Sequence, residues 1–476
     1  MSLSSSLNNA VSGLGAASRR AETLSGNVAG ADRPGYLLRE AVPGPAGRDL
    51  TIRRVRDPGL AQMRRDAQAG AAAAERDRDF QLRLDAALGD PDRPGTLQDR
   101  LARLDAALVQ AAGNPSAASF LESALRDADA LTAEVNALGR LVAAERSTAE
   151  TTIEDTVIRL NTDLEAVARL NADIMRLGNR GGDAADLLDR RDLLIDRISL
   201  QIPLRTLPRE GGAVALVSRG GVMLLDARPA RIEFSARALV TPEMELGAGL
   251  SGLTIDGREM IRGDDRSRIA GGGLEALFML RDDTAPRAGA RLDAFAAELV
   301  SRFAQPAVDP TLGVGQPGLF TDAGAAFDPA ALAGLAGRMA LNPLLDPEDP
   351  ATHWRLREGL GAALPGPAGR SDQLLRLGAA LRSPQAPATT GLTGRSLGFV
   401  DLAATLRSAV SADRLRAEDA TETRQVQAAD LAARKDGGAV DIDAEMQRLI
   451  EVEQAYAANA RVIQVVGDMI QRLTEI

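Results

Sequence analysis

The two ends of this chain carry the same restriction. Leu3, Leu7, Ala10, Leu14, Ala17, Ala21, Leu24 and Val28 alternate spacings of four and three, and Leu449, Val452, Tyr456, Asn459, Ile463, Val466, Ile470 and Leu473 do so again near the other terminus. Side chains at that spacing line one side of a helix and are buried only against a second helix. If the two seams are each other's partner, everything between them is a long insertion. Asp441 or Asp443 can cap the second helix, with Glu445 in its first turn.

The first helix is weak by itself. Ser, Asn and Gly at 4, 5, 6, 8, 9, 12, 13 and 15 lower its propensity, and its seam holds three alanines, which bury little area per turn. It should be ordered only against a partner, and the C-terminal seam is the obvious one. Asn459 falls on that seam, where a polar residue costs stability but fixes register. Small alanine seams permit close helix approach, which suits stacking of many copies around an axis. The stretch "SGNVAGADRPGYLLRE", residues 25–40, ends this helix: Asn27 sits in it, Pro34-Gly35 forces a bend, and Tyr36, one of two tyrosines, should pack at the joint.

The remainder can build real cores. Hydrophobic residues make up 45% of the 476 positions but aromatics only 3%, so packing falls to Leu, Ala, Val and Ile. The length suits roughly two to four domains. There is no cysteine, which removes disulfides, thiolate metal sites and thiol nucleophiles. The net charge of −10, from 56 basic and 66 acidic residues, argues against nucleic acid as a partner. Every basic residue except Lys435 is arginine, a compositional bias. No apolar run approaches the ~18 residues of a membrane span. The N-terminus lacks the basic start and apolar segment of a cleaved secretory signal. The expectation is a cytoplasmic chain, or one that leaves by a route that cleaves nothing.

Along the body, a Pro/Gly-rich stretch to Gly47 and an extended piece, "DLTIRRV", precede helical spacing from about Leu60 to Leu88. Further helices are predicted over 97–111 and over 116–177, the second broken near Ser147. "AADLLDRRDLLIDRISL" begins another after "GNRGGDA". From Ile202, "AVALV", "VMLL" and "RIEF" read as a small antiparallel sheet. "LEALFMLRDD" and "RAGARLDAFAAELVSRFA" return to helical spacing. Residues 306–395 are the least regular, with short helices near 329–336 and 372–382, and a long helix runs from Phe399 to about Lys435. The fold class is mainly α with long coiled-coil-like helices, paired terminal helices and a small antiparallel β-rich inserted domain. The expected division has a terminal helical pair from 1–40 with 436–476, and a helical body from 41–200 with 271–305 and 396–435. A β-rich, irregular outer domain takes 201–270 with 306–395.

Residues that could do chemistry do not converge. His353, the only histidine, stands beside Trp354 without a Ser or Asp pattern and reads as structural. Gly271-Gly272-Gly273 lacks the Lys-Ser/Thr of a phosphate loop and reads as a flexible connection. Asp264-Asp265 and Asp282-Asp283 are solvated pairs in a chain that is 26% charged, Arg262–Asp264 spells RGD by chance, and "DIDAE" at 441 lacks the remaining ligands of a calcium loop. No catalytic, cofactor-binding or metal-ligating set emerges. A hydrolase carried by 201–395 and an intracellular coiled-coil scaffold are the readings from other classes.

The two ends, "SLSSSLNNAVSGLGAASRRAETLSGNVAGADRPGY" and "VDIDAEMQRLIEVEQAYAANARVIQVVGDMIQRLTEI", resemble the paired terminal signatures of bacterial flagellar axial proteins. Within that superfamily, "IRRVRDPGLAQMRRDA", "FLESALRDADALTAEVNALG", "AADLLDRRDLLIDRIS" and "GGGLEALFMLRDDTAPRAGARLDAFAAELVSRF" resemble the hook-associated protein 1 family, the first hook–filament junction proteins. The resemblance covers most of the chain and is weakest between 306 and 395. It implies an extracellular structural protein without catalysis or cofactor, exported through the flagellar type III apparatus with an uncleaved N-terminus. The implied partners are other copies of the chain, the hook protein, the second junction protein and an export chaperone bound near the C-terminus. Hook or rod axial proteins are the nearest rivals, and the long helices between 116 and 200 argue against a hook body. Two departures stand out: the middle is short for the family, and Leu37-Leu38 follow Pro-Gly-Tyr where a polar or basic residue is common.

Overall fold

The structure, a computed structural model, describes the chain apart from residues 1–2, 44–49, 91–92, 181, 261–268, 388, 390–391, 393–394, 435–439 and 475–476; of Leu3, Leu473 and Thr474 it describes only the backbone. Leu3 and Leu473 of the seams, the Arg262–Asp264 and Asp264-Asp265 motifs and Lys435 therefore lie outside the described side chains.

Helix α1 (Leu3–Gly30) leads into a hairpin of β1 (Arg39–Pro43) and β2 (Leu50–Arg54), followed by α2 (Pro58–Leu88), α3 (Leu97–Gly113), α4 (Ala118–Asn179) and α5 (Ala185–Gln201). Asp57 caps α2, accepting from the amides of Gly59 and Leu60, with Pro58 at the first helical position. Thr96 caps α3. A three-stranded antiparallel sheet of β3 (Leu204–Pro208), β4 (Val214–Ser218) and β5 (Met223–Leu225) comes next. Two small sheets follow: β6 (Ile232–Glu233) joins β9 (Thr254–Ile255) and β10 (Arg258–Glu259), while β7 (Glu245–Leu246) and β8 (Gly249–Leu250) pair in parallel. The chain returns to helix in α6 (Gly273–Met279) and α7 (Ala285–Phe303). Beyond them come β11 (Phe320–Asp322), α8 (Leu335–Arg338), β12 (Met339–Leu341), α9 (Trp354–Glu358), α10 (Asp372–Arg382), α11 (Phe399–Ala433) and α12 (Ile442–Thr474).

One hydrophobic core runs from Phe80 to Val410. It unites the long helices with residues of the inserted strands, such as Leu216, Ile232, Ile255 and Phe320. Neither α1 nor α12 contributes to it. The mainly α expectation with a small β-rich insert holds, and several details differ. The helix from 118 to 179 is unbroken at Ser147, whose hydroxyl donates to the Ala143 carbonyl. The seam only looks interrupted there, because Arg146 and Glu150, both buried, take positions that apolar residues hold elsewhere. α6 and α7 form one run through a single π-turn at Leu280–Thr284. Strand β1, unremarked in the sequence, pairs along its length with β2. Gly271–Gly273 is no loose connection: a Cβ on Gly272 would stand 2.3 Å from the Gln201 carbonyl oxygen, so the backbones touch. His353 is buried, its Nε2 lying 3.1 Å and 3.2 Å from the carbonyl oxygens of Asp346 and Pro347.

Candidate assembly site at the joined termini

The two terminal helices pair antiparallel. At one level Asn459 lies against Gly13, and nearer the body Glu445 meets Asn27. Asp441 caps α12, its carboxylate accepting from the Ala444 amide. On α1, Ala10 and Ala17 are buried, and toward the joint the buried face turns one residue to Thr23, Asn27 and Gly30; Leu7, Leu14, Leu24 and Val28 are half-buried beside it. On α12, Val466 is buried and Leu449, Val452, Asn459 and Ile463 are half-buried. Tyr456 and Ile470 depart from the expected seam, standing 43% and 41% exposed. The α1 stretch level with Tyr456, Gly13 to Ala17, is mostly glycine and alanine, and a close approach over small residues leaves little room for a ring. Ile470 runs level with the very start of α1.

Tyr36 lies just beyond the end of α1, at a tight turn. Arg33 to Tyr36 form a β-turn closed by a 3.1 Å bond from the Tyr36 amide to the Arg33 carbonyl. Pro34 occupies its second position and Gly35, at φ 78°, its third, the pattern of a type II turn. Tyr36 folds back so that its ring covers Gly30, where a Cβ would come within 2.4 Å of Cε2. Its hydroxyl donates to Asn27 Oδ1 at 3.0 Å, and the Arg39 guanidinium lies 4.5 Å from the ring centroid. Burial pushes the Tyr36 hydroxyl above its ordinary pKa, against the neighbouring Arg39 charge.

Asn27 and Glu445, outside the expected interface, are the centre of the joint. The Asn27 amide donates to the Arg39 carbonyl (2.9 Å) and to Glu445 Oε2 (2.7 Å), and its oxygen accepts from the Arg39 amide (3.0 Å). Glu445, 1% exposed, takes a second bond from Arg448. The side-chain amide of Asn27 thus copies a neighbouring strand for Arg39 and ties three segments at once: α1, the hairpin and α12.

The hairpin is clamped in turn to the body by α5. In "AADLLDRRDLLIDRIS", Asp186, Asp189, Asp192 and Asp196 recur at helical spacing and present one acidic face. Arg39 bridges Asp186 (2.6 Å) and Asp189 (3.0 Å), and Arg54 bridges Asp189 (2.8 Å) and Asp192 (2.6 Å). Arg56 reaches Asp192 at 3.0 Å, and Arg65 of α2 reaches Asp196 at 2.5 Å. The Arg39 hydrogen bond holds Asp186 below its ordinary carboxylate range, while burial raises Asp189. Beside them burial lowers Arg191 to about 10, and its guanidinium donates to Asn171 and to the Gly212 carbonyl. The four aspartates stand in a motif already visible in the sequence, but nothing in their spacing says that a basic hairpin faces them.

Among the described residues nothing comparable gathers around reactive groups. The cleft between α4 and the β6–β9–β10 sheet, about 990 Å³, is lined by Glu154, Asn161, Arg231, Phe234 and Glu259, and the Asn161 amide is spent on the Ile232 backbone. Among the described residues, no three or more His, Cys, Asp or Glu side chains cluster as metal ligands, and no helix is long and apolar enough to cross a membrane.

Comparison with known proteins adds the family. Residues 82–308 match the family described as flagellar hook-associated protein FlgK helical domain, and residues 437–476 match the flagellar basal body rod FlgEFG protein C-terminal family. Flagellar hook-associated protein 1 of Salmonella typhimurium and that of Salmonella typhi are each 24% identical over 246 residues, 48% of this chain and 44% of theirs. The structure of the flagellar hook junction protein FlgK from Burkholderia pseudomallei superposes with a TM-score of 0.44 at 20% identity, over 55% of this chain and 46% of that one. The matched region spans less than half the length of each relative. The helical-domain match thus covers α3 to α7 and the axial match covers α12, and over these two segments the chain is similar to the FlgK type of flagellar hook-associated protein.

Proposed function

We propose that this chain is a structural component of the bacterial flagellum, outside the cell at the junction between hook and filament, and that it polymerises through its terminal helices. The observation that carries the reading is a helix pair standing apart from the main core with apolar side chains turned away from both helices. Ile450, Tyr456, Val462, Val465 and Met469 of α12 are each more than 40% exposed. Apolar surface of this kind is a place for another chain to bury, and neighbouring copies supply one all along an axial tube. The interface then comprises the two seams, from Leu3 to Val28 and from Leu449 to Leu473, with Pro34, Gly35 and Tyr36 as the turn out of it. Residues 1–40 with 436–476 form the inner part, the α2–α5, α6–α7 and α11 helices the body, and 201–270 with 306–395 the outer part. The partners are further copies, the hook protein on one side, the second junction protein on the other, and an export chaperone near the C-terminus before assembly. Export follows the flagellar type III route without a cleaved signal, and no catalysis or cofactor is involved.

Chains lacking 1–31 or 446–476 should be made and should fold in the body yet be absent from shed flagella on a blot against cell lysate. Normal incorporation of both truncated chains refutes the reading. A rod or hook axial role is the second reading, favoured by the rod-type match of α12; gold labelling of whole flagella separates a ring at the hook–filament boundary from label along the rod or hook.

A further inference from the structure

The apolar seams do not by themselves choose a register. Leu7 and Leu14, or Ala10 and Ala17, are one heptad apart on α1, and Leu449, Tyr456, Ile463 and Ile470 repeat at the same interval on α12. Sliding one helix past the other by seven residues therefore sets small apolar side chains against apolar side chains once more. Two contacts break that degeneracy. The Asn27 amide donates to the buried Glu445 carboxylate at 2.7 Å. Asn459 fits the notch left by Gly13, where a Cβ would stand 3.0 Å from Oδ1 and 3.1 Å from Cγ and Nδ2. The step from Gly13 to Asn27 equals the step from Glu445 to Asn459, two heptads in each helix, so both contacts are met in one register only.

We propose that Asn27–Glu445 and Gly13–Asn459 are a two-point register lock that fixes the axial alignment of the terminal helix pair. A slip of one heptad sets Asn27 opposite Val452, Gly13 opposite Val466 and Asn459 opposite Arg20, while Glu445 passes the end of α1 and loses its amide donor. Buried polar groups without partners are the cost that excludes the slipped pair. The inference deepens the assembly reading, because a ladder of copies along an axis needs every subunit to present its outer stripe at the same height.

The absence of cysteine makes the register directly readable in the purified chain at monomer dilution, since an introduced pair forms the only possible disulfide within one copy. In the native register Ala10 lies level with Val462, next to the half-buried Ile463; after the slip it lies level with Met469, next to Ile470. Under mild oxidation, Ala10→Cys with Ile463→Cys should cross-link and Ala10→Cys with Ile470→Cys should not. Moving the carboxylate one heptad, by Glu445→Val with Val452→Glu, should transfer the cross-link from position 463 to position 470. Removing the lock altogether, by Asn27→Leu, Glu445→Leu and Asn459→Leu, should spread it over both. Retention of the cross-link at 463 alone in both backgrounds overturns the lock, and so does loss of cross-linking at both positions. The readout is made on monomer, so a chain that keeps its lock but fails to enter flagella refutes the assembly reading without touching this one.

Discussion

At the scale of single residues, the recurring device is an asparagine that stands in for a β-strand. Asn27 does so for Arg39, Asn161 for Ile232 and Asn171 for Val214, each amide donating to the carbonyl and accepting from the N–H of one backbone residue. Short strands that meet a helix have edge groups with no ladder partner, and buried N–H and C=O groups must be satisfied. None of these roles was legible in the sequence. Asn27 drew attention only through the turn that follows it, and an asparagine facing a strand edge looks the same in sequence as one facing water. Asn171 also accepts from the buried Arg191 guanidinium. Asn171→Leu should therefore cost about 3 kcal/mol or more by leaving three groups unpaired, read as a lower urea midpoint, and an unchanged midpoint contradicts the role. The aspartates of α5 give a second prediction. Burial raises Asp189, so its charged form opposes folding and protonation on acidification relieves that penalty. Arg39 lowers Asp186, so its contribution is present above the ordinary carboxylate value of 3.8 and is lost as pH falls through its depressed folded pKa. Carboxyl NMR on aspartate-labelled chain should show Asp189 titrating before Asp186 as pH falls; the reverse order contradicts the clamp geometry.

At the scale of elements, helix existence and extent were legible wherever an apolar seam persisted, as in α2, α3, α5, α10 and α11. The predicted break in α4 failed for a physical reason. Around Ser147 the seam turns polar because α4 there grips the inserted strands rather than another helix. Arg146 donates to the carbonyls of Thr241, Pro242, Met244 and Arg281. Glu150 accepts from the Arg237 amide and from Arg281, whose guanidinium is fully buried with Phe234 and Phe278 against it. Periodicity reads such a stretch as an interruption, since it records apolar character and not burial. A buried pair of this kind stabilises little by existing, yet breaking it strands a charge. Glu150→Ala should lower stability by about 3–5 kcal/mol. The double change Glu150→Leu with Arg281→Met should recover most of that loss in the same denaturation assay. Equal losses in the single and double variants would show that the site matters for shape rather than charge.

At the scale of the whole molecule, the paired ends were the most legible feature and also the part least able to stand alone. The seam residues predicted which helices meet; the joint they meet at was set by Asn27, Glu445 and the α5 aspartates, which no periodicity reports. The main core, from Phe80 to Val410, contains neither terminal helix, and α1 brings Ser, Asn and Gly to a contact lined by alanine. Stability is not uniform in such a molecule: segments with small buried area open at low cost while the core stays closed. In dilute monomer, backbone amides of α1 and α12 should exchange with deuterium much faster than those of α4, with the slowest terminal amides nearest Asn27 and Glu445, where the joint is tied. Assembly into a polymer should then protect both helices along their whole length, because the exposed apolar face of α12 becomes interior. Protection of α1 in the monomer equal to that of α4 would mean that the pair draws its stability from within the chain, and the outward apolar row would lose its explanation.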